Sequence, residues 1–392
     1  MIESLYIAWQ YVIFNKVKTA VLVACVTLIA SLPLALQLLL AESERQLLSR
    51  AVTTPLVAGA RGSALDLVMN SLYFDDEIPE LISMQASQQV MESGLADPIP
   101  LYIRFRARGF PVVGTTLDYF DFHGLGVGKG RMMAMLGECV IGASVAEHLG
   151  LGPGDSLVTS PENLFDLAGV YPLKMKVVGV LEPAHAPDDL GVFVDLKTAW
   201  VVQGLGHGHE DLARTRDTSV ILKRTDQNVV ANAKLIQFTE ITEANIDSFH
   251  FHGDLPSYPV TALIAVPHDA KSGTLLRGRY LEDREHQIVQ PKAVVDGLLE
   301  NIFRIKSVLD AVIMIVGLAT VLAIVLVFSL SLRLRKGEIN TIFKLGGSRL
   351  TIARLLGAEI AIIGIASALL CVGMLLVANH YSSELVRVLF VS

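Results

Sequence analysis

Cysteine is scarce in this chain of 392 residues: Cys25 and Cys371 fall in apolar runs, and Cys139 stands alone between them. That scarcity excludes a disulfide within the intervening region, and Cys139 reads as a small buried apolar residue rather than a reactive thiol. Catalytic signatures are missing as well. There is no G-x-x-x-x-G-K-[ST] phosphate loop, the nearest stretch being GLGVGKG at 124–130, so no ATPase is built into the sequence. H-E-x-x-H, C-x-x-C and G-x-S-x-G are also absent, which removes metalloprotease, thioredoxin-like and hydrolase readings. The expectation is a chain that is not an enzyme.

Charge is sparse too, at 18% Asp, Glu, Lys and Arg, and three runs carry none at all: 20–41, 311–332 and 360–379. Each is close to the ~20 residues a helix needs to cross ~30 Å of hydrocarbon. The hydrophobic content of 52% and the mean hydropathy of +0.50 reflect these runs, while the middle has ordinary globular composition. The predicted fold class is an α-helical membrane protein with three transmembrane helices and a large α+β extracytoplasmic domain of two lobes inserted between helices 1 and 2. The first run is too long for a signal-peptide core and lacks an A-x-A-like site after it, so it reads as a retained anchor.

Lys and Arg set the orientation, because short loops rich in them stay cytoplasmic. Residues 333–354 hold Arg333, Arg335, Lys336, Lys344, Arg349 and Arg354 against Glu338 alone, and Lys16 and Lys18 precede the first run. The expected order is then a cytoplasmic amphipathic segment (1–19), span 1 (20–41), an extracytoplasmic domain (42–307), span 2 (308–332), a cytoplasmic link (333–354), span 3 (355–379) and an extracytoplasmic tail (380–392). The domain carries a net charge of about −11, which argues against a nucleic-acid partner. Pro33 is a candidate kink in the first span.

Within the domain, 101–115 alternates at period two and reads as a strand ended by Gly and Pro; in 140–157, Val145, Ala146 and Leu149 repeat at helical spacing before a Gly-Pro-Gly-Asp turn; 174–181 and 191–196 read as strands. Residues 63–74 and 228–238 read as helices and 219–225 as a strand. These divide into a lobe made of two separated pieces, about 45–112 and 216–300, and an inserted lobe at about 113–215.

Three groups of residues stand out as candidate sites. In the cytoplasmic link, GEINTIFKLGG places Ile339, Ile342 and Phe343 on one face of a short helix, with Glu338 at its positive end, Lys344 near its negative end, and Leu345 and Gly346 leading into the Gly stop. Such a helix is suited to dock into a groove of a soluble partner. Asp310 and Glu359 are ionisable groups near span ends, where such groups are costly and point to structural or coupling roles. Seven of the ten histidines lie between 185 and 286, among them the pairs His207/His209 and His250/His252, with Asp254 and His268 nearby. Histidines at i and i+2 on a strand point the same way and suit Zn²⁺ or Cu²⁺, which makes a metal-linked module one reading of the chain.

Taken together, NKVKTAVLVACVTL, VVGTTLDYFDFHGLGVGKGR, VIGASVAEHLGLGPGDSL, KMKVVGVL and RKGEINTIFKLGGSRLTIARLLGAEIAIIG resemble, in content and order, the MacB/FtsX-like permeases of ABC transport systems. The resemblance implies a split porter-like lobe with an inserted, mostly β lobe. It also implies an inner-membrane permease subunit that binds no cofactor itself, pairs with a second copy, and couples to ATP on a separate ATPase subunit through Glu338–Leu345. Its periplasmic head would move mechanically, for export or envelope cargo handling, with a periplasmic or outer-membrane partner; the alternative is a non-transporting envelope regulator of the FtsX type. Family members usually have a fourth span. Only 13 residues follow residue 379 here, so three spans are expected.

Overall fold

A computed structural model describes residues 2–160, 172–208, 221–225, 228–231, 239–334, 336–337, 341, 344 and 348–391. It divides into two units, one formed by Met1–Leu47 with Leu299–Ser392 and the other by Leu48–Leu298.

The first unit is helical. A helix at Ile2–Phe14 is followed after Asn15 by a helix at Lys16–Thr53, and two further long helices run over Pro291–Leu334 and Arg349–Val391. Lys16–Leu39 and Leu350–Asn379 are long and apolar enough to cross a membrane, and the uncharged run 311–332 lies inside the Pro291–Leu334 helix. Large apolar side chains such as Leu28, Leu32, Met314, Leu326, Ile365 and Leu369 are exposed along these helices. A row of this kind is stable only against lipid or another apolar surface. Pro33 sits inside a helix that continues past it on both sides. Where the first and last long helices meet, the contact is made by small polar residues: Thr27 Oγ1 donates to the Ser367 carbonyl and Ser367 Oγ to the Val23 carbonyl, both at 3.4 Å. Thr27, Ser31 and Ser367 are buried there, the small-residue packing that lets membrane helices approach closely.

The second unit is built on one mixed sheet of 11 strands. At one end, His286–Val289, Leu56–Ala60 and Ala262–Pro267 pair antiparallel in that order. The 12-residue strand Ala96–Ala107 comes next, its first half paired with Ala262–Pro267 and its second with Phe110–Thr115. From there the sheet continues through Val192–Asp195, Glu138–Ile141 and Leu173–Leu181 to Thr239–Glu240. The sheet thus runs unbroken across the 112/113 lobe boundary, which falls inside Phe110–Thr115.

Two local expectations are corrected. Residues 101–115 form a hairpin, because Arg108 and Gly109 both take positive φ (50° and 89°) in a two-residue turn whose twist matches the flanking strands. Alternation continues through such a turn, and Arg-Gly lacks the Asn-Gly signature, so the pattern marks a stop at Gly and Pro but not a turn back. The helix expected over 228–238 begins instead as a strand, Asn228–Ala231, paired antiparallel with Ile221–Thr225. Val229 and Val230 suit a pleated surface, and a short apolar run has no length to separate helix from strand. Residues 232–238 lie outside the described residues.

The strands 173–181 and 192–195 and the helices Ala64–Tyr73 and Ala143–Leu149 follow the expected pattern. Trp200, on the helix Leu196–Val202, is nearly fully buried, stacks 4.7 Å from the Tyr258 ring and donates its indole N–H to the Pro259 carbonyl at 2.8 Å. It ties the middle of the sequence to the segment that returns from 258 onward. Trp200→Ala is expected to destabilise the head by about 3–5 kcal/mol and Trp200→Phe, which keeps the ring but strands the carbonyl, by about 1–2 kcal/mol, read from denaturant unfolding of the purified chain.

Candidate coupling site

The helix that begins at Lys16 ends at Thr53, and its last turn places Arg50 inside the second unit. Arg50 is 7% exposed and Asp188 1%. Arg50 Nη2 donates to Asp188 Oδ1 at 2.9 Å and to the Tyr119 hydroxyl oxygen at 2.6 Å, while the Tyr119 hydroxyl donates to the same Asp188 oxygen at 2.6 Å. The three groups close a buried ring of charge-assisted hydrogen bonds.

Local structure explains each partner's position. Asp188 lies in a 3₁₀ turn, Pro187–Leu190, opened by a proline that fixes φ at the first position. The neighbouring Asp189 carboxylate holds the approach to the turn by accepting the Ala184 and His185 backbone N–H groups, each at 2.9 Å. Gly142 packs against the same turn so closely that a Cβ there would lie 2.4 Å from the Asp188 carbonyl oxygen. Tyr119 comes from the short helix Asp118–His123 and is fully buried among Phe120, Phe193 and His123.

Burial holds Tyr119 well above the usual tyrosine range, so its hydroxyl stays protonated and available to donate. Burial pulls Arg50 down, but Tyr119 and Asp188 beside it outweigh that, and the guanidinium ends above its ordinary value. Tyr73 is pushed up to about 12 by burial, against the opposing charge of Arg50. His123 is driven down from 6.5 to about 3 by burial first and by the Arg50 charge second, so it is neutral in the folded head. The ring is not fully satisfied: among the described residues, Arg50 Nε and Asp188 Oδ2, and beside them His123 Nε2, are buried without a hydrogen-bond partner. Partly satisfied buried charge is costly to keep.

Of the residues singled out from the sequence, Glu359 is buried in the first unit, in line with Ile363, Ser367 and Cys371 on one face of the Arg349–Val391 helix. Asp310 lies within the Pro291–Leu334 helix, its side chain outside the described residues. Glu338, Ile339, Ile342, Phe343, Leu345 and Gly346 also lie outside them; of the docking helix, Thr341 and Lys344 are helical and exposed. His209 lies outside as well. His207 and His250 are Cα partners across a two-stranded ribbon, and the His250 and His252 rings are 4.7 Å apart. His268 is not part of that group and pairs instead with Asp97 at 3.3 Å, while Asp254 leads into the 3₁₀ turn Leu255–Ser257. Among the described side chains no three His, Cys, Asp or Glu gather as a metal-binding set.

The Arg50 ring was not visible in the sequence. An arginine nine positions beyond an apolar run reads as a residue at the membrane surface, and Pro-Asp-Asp as a solvated loop. Nothing in either segment signals that the two meet.

Long apolar helices, one of them continuing into an α+β head built on a single sheet, define a membrane-bound protein with a large folded domain outside the bilayer. The chain belongs to the family of MacB-like periplasmic core domains, whose model matches residues 20–237. This bears out the resemblance to MacB/FtsX-like permeases of ABC transport systems. Among solved structures, the periplasmic region of MacB from Actinobacillus actinomycetemcomitans is similar at 11% identity and a TM-score of 0.35, covering 63% of this chain and 93% of that one. The extracellular domain of the noncanonic ABC-type transporter YknZ from Gram-positive bacteria is similar at 12% identity and a TM-score of 0.33, covering 60% and 98%. No curated protein matches the sequence.

Two outcomes follow for the head. Asp188→Ala leaves Arg50 buried beside a neutral partner and is expected to cost about 3–5 kcal/mol, whereas Arg50→Met with Asp188→Leu recovers most of that loss, as measured by urea unfolding of the purified chain in detergent. His123 sets a pH dependence. Between 6.5 and about 3 the unfolded chain takes up a proton that the folded head refuses, so unfolding is proton-linked and stability falls as pH drops through that window. The slope contributed is at most about 1.4 kcal/mol per pH unit, and His123→Phe is expected to flatten it.

Proposed function

We propose that this chain is the permease subunit of an ABC transport system, carrying motion generated by a separate ATPase subunit into its periplasmic head. The observation that carries the reading is the helix Lys16–Thr53, which starts in a membrane-crossing segment and ends in the buried Arg50–Tyr119–Asp188 ring, in a chain whose residues 20–237 match the MacB-like periplasmic core domain. The helix keeps its internal hydrogen-bond ladder apart from the bond missing at Pro33. In this reading, motion of its membrane segment is passed to the head at Arg50.

In this reading the chain sits in the bacterial inner membrane with its N-terminus and the 333–354 link in the cytoplasm and its head in the periplasm. Three spans per chain, with 311–332 as the second, pair with those of a second copy. The link docks on the ATPase through Ile339, Ile342 and Phe343, with Glu338 and Lys344 at the helix ends. ATP is bound by that partner, and the head acts mechanically on an export or envelope cargo, with or without a further partner at the outer membrane.

The docking assignment is tested by co-purification in mild detergent. Phe343→Asp puts a charge on the apolar knob and is expected to strip the ATPase from the complex and abolish complex-dependent ATP hydrolysis while leaving head unfolding unchanged. An ATPase that remains bound at the wild-type ratio would overturn the assignment.

A further inference from the structure

The geometry points to a peptide-binding site at the edge of the head's sheet, where the strand His286–Val289 takes up an extended, polar segment of another protein as an added strand. That strand ends the order of the 11-stranded sheet and pairs there with Leu56–Ala60 alone. The register fixes which of its backbone groups face outward. Arg61 donates its backbone N–H to the Glu285 carbonyl at 2.8 Å, and the Cα partners continue as Ala60↔His286, Gly59↔Gln287, Ala58↔Ile288 and Val57↔Val289. In an antiparallel ladder, hydrogen-bonded pairs alternate with pairs that are not. Gln287 and Val289 therefore bond inward, while His286 and Ile288 turn their backbone groups to the open edge.

The His286 N–H is already used, donating to Asp283 Oδ1 at 2.9 Å. Three groups remain: the His286 carbonyl and both backbone groups of Ile288, which have no backbone partner among the described residues. One extended chain laid along the edge satisfies all three. In this mode of recognition the main-chain bonds supply affinity and the neighbouring side chains supply selectivity. The Ile288 side chain packs against the apolar core, so the strand is held in place to receive its partner.

A cleft opens at the His286 end of the same strand. Its volume is about 610 Å³, within the range of ligand sites, and it lies between Ala60, Arg61, the start of the strand and the helix Met84–Glu92. Gln85 and Gln89, one turn apart on that helix, share its wall with Glu80, Arg284 and Glu285. These five side chains are exposed, and none has a hydrogen-bond or ion-pair partner among the described residues. Amides and charges of both signs, left unmatched in one cleft, complement a polar peptide that carries both signs rather than an apolar or a purely anionic occupant. The strand and the cleft belong wholly to the second unit, so the site does not depend on how the membrane helices couple to an ATPase.

The test selects binders from a displayed library of random peptides on the full chain in mild detergent, then measures one synthetic binder by fluorescence anisotropy. Ile288→Pro, which removes the outward N–H, and Arg284→Glu with Glu285→Arg, which inverts the charges at the cleft, are each expected to weaken binding about tenfold or more. Lys129→Ala, on the strand Val127–Gly130, is expected to leave it unchanged. A synthetic binder N-methylated at alternate residues reads the same bonds from the ligand's side, without altering the head: one of its two methylation patterns is expected to lose binding and the other to keep it. Backbone hydrogen exchange over 286–289 is expected to slow when the peptide is bound. A library that yields no binder, a peptide indifferent to Ile288→Pro and to both methylation patterns, or unchanged exchange at 286–289 would each overturn the site. Loss of self-association in Ile288→Pro would overturn it as well, because the edge would then belong to a second copy of the chain.

Discussion

A guanidinium taken out of water must find compensation, and Arg50 finds it only because a tyrosine and an aspartate from distant parts of the chain converge on it. That requirement organises the head around the end of the first long helix. Asp188 needs its 3₁₀ turn, the turn needs the two backbone donations to Asp189 and the absence of a side chain at Gly142, and Tyr119 needs its aromatic neighbours. A surface ion pair at the same place would be worth little and would yield easily. Burial converts it into a joint with a definite position and a high cost of being only half made.

The two units use different forces for the same purpose of holding helices and strands in register. In the helical unit, where lipid supplies no hydrophobic drive between helices, the contact relies on small residues and long hydroxyl-to-carbonyl hydrogen bonds from Thr27 and Ser367. In the head, the sheet and its apolar core do the work, with Trp200 and Tyr258 closing the middle of the sequence onto its return.

Much of the architecture was legible from residues alone, for reasons that are physical and local. Runs without charge mark helices that only lipid can surround, and the period of Val, Ile and Leu marks strands at 173–181 and 192–195. The hairpin at 96–115 was hidden because its turn rests on two positive φ values at Arg-Gly, a pair without a distinctive signature. The strand at 228–231 was hidden because four residues carry no usable periodicity. The Arg50 ring was illegible for a deeper reason: burial is a property of tertiary packing, and neither Arg50 nor Asp188 carries any local mark of it. The histidine pairs were visible as pairs, but only the strand register shows that His207 stands opposite His250 while His268 belongs with Asp97.

The twelve-residue strand Ala96–Ala107 serves as a common rail, paired with Ala262–Pro267 along one half and with Phe110–Thr115 along the other. Because side chains alternate faces, a residue added or removed along it turns the interior of one half outward unless a bulge absorbs it, as the irregularity between Ile103 and Phe105 does for Arg104. Variation in the size of the head is therefore channelled into the connections that leave the rail, and whatever tilts one end of it must carry the other end along.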